Sequence, residues 1–179
     1  MKTYILLLVA SISIAFTACS LNGSSNKTPQ ISFVTKPHLN TADSLNTPYL
    51  TDNAGVYMMD SINVGDTVSF RIFLDGFSNN LISYYITRSD TTTTKIILPS
   101  KTSLDSVFIS STSNYSVGKF IFKSKILNLY FPFKYVAKKQ SNDAKISFAL
   151  TSDAYFDTGL TLASNTFSFV LKTPIRKAK

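Results

Sequence analysis

From Asp66 to Thr87 apolar and polar residues alternate with period two. Val68, Phe70, Ile72 and Leu74 share one face of an extended chain, while Thr67, Ser69, Arg71 and Asp75 share the other. Successive side chains of a strand point to opposite faces, so this pattern predicts a strand with one buried side. Asp75–Asn80 supplies turn residues, and Leu81–Thr87 returns as a second strand with Ile82, Tyr84 and Ile86 inward. The two segments read as an antiparallel hairpin. Phe73 breaks the pattern: it falls on the polar face, so either a neighbouring element covers it or it is an exposed aromatic.

The same alternation recurs downstream. Val56–Met59 predicts an early strand and Lys95–Leu98 a short one stopped by Pro99; Val107 and Ile109 predict another. Phe120 and Phe122 share a face, after Gly118 as a bulge or turn. Leu127, Leu129, Phe131, Phe133 and Tyr135 keep strict alternation, interrupted on the other face by Pro132. Proline donates no ladder hydrogen bond, so that strand is expected at an edge or bulged there. Ile146, Phe148 and Leu150, then Phe167, Phe169 and Leu171, form two further rows. About nine strands follow, with no amphipathic helix and hence no crossover for a parallel sheet. An antiparallel sandwich or a barrel fits this. The strand spacing over residues 54–175 fits an immunoglobulin-like β-sandwich best, without the core disulfide or tryptophan of antibody domains.

Composition supports sheet over helix. The chain has 14 Phe and 9 Tyr but no Trp, and all ten acidic residues are Asp. Asp belongs to turns and caps, whereas the absent Glu is a helix former. The formal net charge of +8 suits anionic partners without naming one.

The N-terminus differs from everything after it. Lys2 precedes a run from Tyr4 to Phe16 that only Ser11 and Ser13 interrupt, and Phe16-Thr17-Ala18 leads to Cys19, the sole cysteine. A basic start, a short apolar core and small residues make a secretory signal, too short for an ordinary membrane span. The placement of Cys19 after Ala18 resembles the lipobox of bacterial lipoproteins, with Phe16 where Leu is usual. That resemblance implies cleavage before Cys19, a diacylglyceryl group on its thiol and an acylated new amino terminus. Ser20 resembles outer-membrane sorting. A lone cysteine has no internal disulfide partner, and lipidation gives it a use. Removing residues 1–18 of the 179 leaves 161, enough for one domain with a core. Residues 19–53 read as a polar tether, with Ile31–Thr35 as a first strand within it, and residues 176–179 as a basic tail. The region after the signal resembles small Gram-negative envelope lipoproteins with sandwich domains.

Catalytic readings fail on supply. His38 is the sole histidine and lies between proline-containing loops, so a histidine-based triad lacks its parts. One histidine and one committed cysteine make no zinc site, and six scattered glycines make no phosphate loop. No metal or cofactor is expected. The enzyme alternative is an envelope hydrolase, or hydrolase accessory, working on glycans with two Asp carboxylates. An exported chain with three Arg argues against nucleic acid as a partner.

Two patterns remain as candidate sites. Lys119, Lys123, Lys125, Lys134, Lys138, Lys139 and Lys145 fall in one stretch whose only acid is Asp143, with Tyr115, Tyr130 and Tyr135 nearby. They suggest a basic, aromatic-lined surface for an anionic glycan or lipid head group, one patch if their strands are neighbours. The plainer alternative is a solvated face that protects strand edges. Asp-hydroxyl triplets at Ser44, Ser61, Thr67, Thr91 and Ser106 resemble the acceptor sequence of a general O-glycosylation system in some Gram-negative bacteria. The expectation is a lipid-anchored, non-enzymatic binding or structural module at the outer membrane, with an anionic glycan or an envelope protein as its partner.

Overall fold

The structure, a computed structural model, describes residues 27–39, 43–51, 55–156 and 164–177. Cys19 and the signal segment lie outside them.

The fold is an all-β, immunoglobulin-like sandwich. At the centre of the first sheet β7 (Thr67–Asp75) and β11 (Asn128–Ala137) pair antiparallel over nine residues, with Phe70 opposite Phe133. β9 (Thr94–Ile97) extends the sheet beyond β11. On the far side of β7 lie β1 (Gln30–Phe33) and β2 (His38–Leu39), the latter followed by β3 (Asp43–Ser44). The second sheet runs in the order β10 (Lys119–Ile121), β8 (Leu81–Arg88), β12 (Lys145–Ser152), β13 (Thr166–Lys172), β5 (Val56–Met58) and β4 (Tyr49–Leu50). A small third sheet joins β6 (Ile62–Asn63) to β14 (Ile175–Arg176). Nine of these strands span three residues or more, in line with the alternation.

The core is aromatic. Phe70 stacks on Phe133 in the first sheet at 4.8 Å between ring centroids, and Phe148 on Phe169 in the second at 4.7 Å. Phe133 meets Phe148 at 6.0 Å across the gap between the sheets, and Tyr84 meets Phe131 at 5.2 Å. The rows read from the alternation at Val68–Leu74, Phe131–Tyr135 and Ile146–Leu150 are buried.

Several expectations fail, each for a tertiary reason. β7 and β8 form no hairpin: β7 pairs with β1, β2 and β11, whereas β8 pairs with β10 and β12 in the opposite sheet. The Asp75–Asn80 turn therefore spans the sandwich. Ile82 is exposed, because the register shifts at Thr151 and Ser152 and sets Leu81, not Ile82, opposite Ser152. Leu127 lies before β11 and is exposed. Two strand pairs are parallel, β5 with β13 and β6 with β14; partners more than a hundred residues apart need no crossover helix. The sandwich also begins well before Ala54, since Ile31 is buried and Phe33 packs on Phe70 and Phe169.

The strand expected at Val107 and Ile109 shrinks to a single antiparallel bridge, Phe108 opposite Phe122, because Val107 ends a helix, α1 (Lys101–Val107). Ser100 caps it, its Oγ accepting from the Ser103 N–H at 3.2 Å, which satisfies one of the orphan donors of the first turn. Only Leu104 is buried on this helix, so two turns show no readable apolar period.

The strand of Pro132 is central and unbulged, against the expectation of an edge or a bulge, and Pro132 is accommodated because the pairing on one side stops short of it. The Ala137 N–H bonds to Asp66 on the β7 side and the Lys138 N–H to Thr93 on the β9 side, so even-numbered residues of β11 face β9. The pairing with β9 stops at Lys134 opposite Ile97, and the missing donor of Pro132 faces the unpaired stretch beyond.

Candidate functional site

The outer face of the first sheet carries what alternation left over. On β7 the outward residues are Thr67, Ser69, Arg71, Phe73 and Asp75; opposite them on β11 stand Val136, Lys134, Pro132, Tyr130 and Asn128. Phe73 lies opposite Tyr130, their rings 4.8 Å apart and tilted by 38°. The Arg71 guanidinium sits over the Tyr130 ring at 5.0 Å, a cation–π arrangement that fixes both side chains while leaving Tyr130 53 % exposed. Arg71 stands directly across from Pro132, so Lys134 is its diagonal neighbour, about 7–8 Å away. Between Pro132, Lys134, Ile97 and Pro99 the early end of β9 leaves a depression of about 220 Å³.

No carboxylate occupies the middle of this face among the described residues. The acids at the two ends of β7 are taken by backbone donors: Asp66 accepts from Asn63 N–H at 2.7 Å and Asp75 from Phe77 N–H at 2.8 Å. Arg71 and Lys134 have no ion-pair partner among the described residues. An aromatic plate, two cations and a shallow recess can stack on the apolar face of a sugar ring while pairing with its acidic groups.

The seven lysines do not form one patch. Lys134 alone lies on this face. Lys119, opposite Tyr85, and Lys145 project from the outer side of the second sheet. β10 and β11 belong to different sheets, so Lys119 and Lys134 are not strand neighbours. Lys145 is further committed, its Nζ 3.1 Å from Asp143, which also holds Lys172 at 3.4 Å. The hydrogen bond from Lys145 holds the Asp143 carboxyl below its usual range, with Lys172 adding to it. Lys123 donates from Nζ to the carbonyls of Asp105 at 2.7 Å and Ser106 at 3.3 Å, binding the carboxyl end of α1. Lys125 occupies a turn with φ of 65°. Lys138 and Lys139 are exposed beyond β11, their backbone N–H groups on the Thr93 carbonyl.

Of the three tyrosines expected beside the lysines, only Tyr130 is available. Tyr135 is buried, its hydroxyl 2.7 Å from Thr173 Oγ1. Tyr115 donates to Asp105 at 2.8 Å, and burial together with that carboxylate pushes its phenol up to about 12. Arg71 and Phe73 join the site only through strand pairing, and the break in alternation at Phe73 is the one signal of it along the chain.

Among the triplet hydroxyls, Thr91 is exposed in a turn where Asp90 accepts from Thr92 N–H at 2.7 Å. Ser106 is exposed on α1, donating to the Ser103 carbonyl at 2.7 Å. Ser61 and Thr67 are half-buried, and Ser44 has its backbone in β3. The described carboxylates are held in place: Asp60 accepts from Asn46 N–H, and Asp153 from both the backbone and the side-chain amide of Asn80. Among the described residues no three His, Cys, Asp or Glu gather as for a metal ion, and no helix is long and apolar enough to cross a membrane.

No family model matches the chain, and no curated protein matches it. Two solved structures are similar in outline. One is the ASH / PapD-like domain of human CEP192, at 7% identity and a TM-score of 0.38, covering 90% of this chain and 93% of that one. The other is a family 123 glycoside hydrolase from Clostridium perfringens, at 16% identity and a TM-score of 0.28; the match covers 78% of this chain and 27% of the hydrolase.

Proposed function

We propose that this protein is a lipid-anchored module of the bacterial outer membrane that binds an anionic glycan on the outer face of its first sheet. The observation that carries the reading is the Arg71 cation over the exposed Tyr130 ring, with Lys134 on the diagonal and no carboxylate between them. Aromatic stacking orients a sugar ring, and the two cations select for carboxylate or sulfate groups. The lipid on Cys19 keeps the sandwich at the membrane, since each buried methylene contributes about 0.8 kcal/mol and several acyl chains anchor it stably. Thr91 and Ser106, both exposed, are better placed for O-glycosylation than the half-buried Ser61 and Thr67.

Two measurements test this separately. Affinity electrophoresis in polygalacturonate should retard the wild type and not in neutral dextran. Retardation should be lost in Arg71→Gln/Lys134→Gln and in Tyr130→Ala, and should fade near 1 M salt, where the Debye length is about 3 Å. Lys119→Gln/Lys145→Gln, on the opposite face, should behave as wild type. Equal retardation of both double variants overturns the site. For the anchor, Cys19→Ala should move the protein out of the detergent phase; a membrane-bound mature form of the variant overturns the lipobox.

A further inference from the structure

A second opening in the molecule lies between the sheets, away from the outer face. The inward row of β8 runs Tyr84, Ile86, Arg88, so an arginine continues the parity of two core residues. Across the gap, Ile96 of β9 stands opposite the buried Tyr135 and so faces inward too. β10 pairs with β8 only as far as Tyr85, and beyond it the 3-10 turn Tyr115–Val117 closes back through Gly118, whose carbonyl accepts from the Ile86 N–H at 2.9 Å. The sandwich is therefore unsealed along this side, between the β9 edge of one sheet and the end of β8 in the other. The resulting cleft measures about 290 Å³. Ile86, Ile96, Leu98 and Val117 form its apolar walls, with Arg88 and Thr91 as polar members.

Arg88 is half-buried and has no carboxylate partner among the described residues. One of its Nη1 hydrogens goes to the Thr94 carbonyl at 2.8 Å, which pins the guanidinium in place and leaves most of its five donors unspent. A partly buried cation without a counter-charge is costly unless something supplies the charge. The mouth is open to solvent, since Thr91 and Val117 are exposed, the latter by 59 %. The volume lies just under the roughly 300–1,000 Å³ of ordinary small-molecule sites, which suits a small ligand.

We propose that this cleft binds a small carboxylate with a short apolar body, the carboxylate on Arg88 and the body between Ile86, Ile96 and Val117. The geometry matches charge to charge and apolar wall to apolar tail, and the fixed guanidinium offers the paired donors that a planar carboxylate accepts. This site lies between the sheets rather than on the outer glycan face, and of the residues lining the depression there it shares only Leu98.

The test uses the full chain and two acids, 4-phenylbutyrate and octanoate, each against the alcohol of the same skeleton, followed by methyl and arginine side-chain NMR shifts. Saturable shifts at Ile86, Ile96, Val117 and Arg88 are expected. Each alcohol should bind at least about tenfold more weakly than its acid, the scale of one charge-assisted hydrogen bond. A response to only one acid tells an aryl from an acyl body, and either response supports the site. Arg88→Gln should erase the preference for acid over alcohol, and Arg88→Lys should keep part of it. The wild-type acid–alcohol comparison needs no variant, so the test stands even if Arg88→Gln fails to fold. Equal affinity for acid and alcohol, no saturation with either acid, or shifts confined to Tyr130 and Lys134 overturns the proposal.

Discussion

Phe70 and Phe133 stand directly opposite one another on the two central strands of the first sheet, their rings 4.8 Å apart and within 6° of parallel. Phe133 then reaches Phe148 in the other sheet, so this pair couples in-sheet pairing to inter-sheet packing. Truncating either ring removes buried area and leaves a cavity. Phe70→Ala and Phe148→Ala should each cost about 3–5 kcal/mol in urea unfolding, while Ser69→Ala, next along β7 and facing outward, should stay within about 0.5 kcal/mol. The reverse ranking would refute the facing assigned to β7.

Tyr84 offers a substitution in the opposite direction. Its ring is fully buried against Phe120 and Phe131, and its hydroxyl has no hydrogen-bond partner among the described residues. Burial pushes its phenol well above the ordinary value. A buried polar atom without a partner costs about 1–3 kcal/mol, so Tyr84→Phe should stabilise the fold by about 1 kcal/mol. A loss of stability on thermal or urea unfolding would mean that the hydroxyl is satisfied.

Gly118 is required by both its dihedral and its neighbours. It ends the 3-10 turn at φ of 73°, and a Cβ there would collide with the Ile86 carbonyl oxygen. Gly65, at φ of 96°, has open space around it. Gly65→Ala should cost about 1 kcal/mol for the left-handed backbone alone, and Gly118→Ala at least about 2 kcal/mol. Equal losses in paired urea melts would show that the turn relaxes freely.

The ion pairs of Asp143 set a pH dependence. Its folded carboxyl is held down, first by the hydrogen bond from Lys145 and then by Lys172, relative to about 3.9 in an unfolded chain. A lowered folded pKa contributes stability above the unfolded value, and that contribution is lost as pH falls through the folded value. Asp143→Asn should therefore lower the urea midpoint slightly at neutral pH, with the gap closing below about pH 4. A gap that persists unchanged in acid would assign the effect to something other than charge.

Much of the candidate face was legible along the chain, in pieces. Phe73 stood out by breaking alternation, and Tyr130 and Lys134 shared the outward parity of Pro132. What was not legible was that β7 and β11 are partners, which puts Arg71 over Tyr130. The lysine run looked like one patch because its members are close in sequence. Lys119 and Lys134 were separated by the assignment of β10 and β11 to different sheets.

By itself the sequence determined most of the buried rows, though not Ile82 or Leu127, and that the fold is sheet: a period of two with Phe, Ile and Val on one parity leaves a strand little choice of face. It also determined where chain direction changes, at Asp75–Asn80, Pro99 and Gly118. Only the tertiary structure decided which strands pair. Two strands with one apolar face each bury the same side chains whether they lie side by side in one sheet or face each other across two. The local pattern of β7 and β8 was therefore identical for a hairpin and for the sheet-to-sheet passage that they make. Long-range backbone hydrogen bonds and the fit of Phe33, Phe133 and Phe148 into one core separate those alternatives, and neither is encoded within any single stretch. The same held for α1, where a single buried Leu104 in seven residues left no period to read.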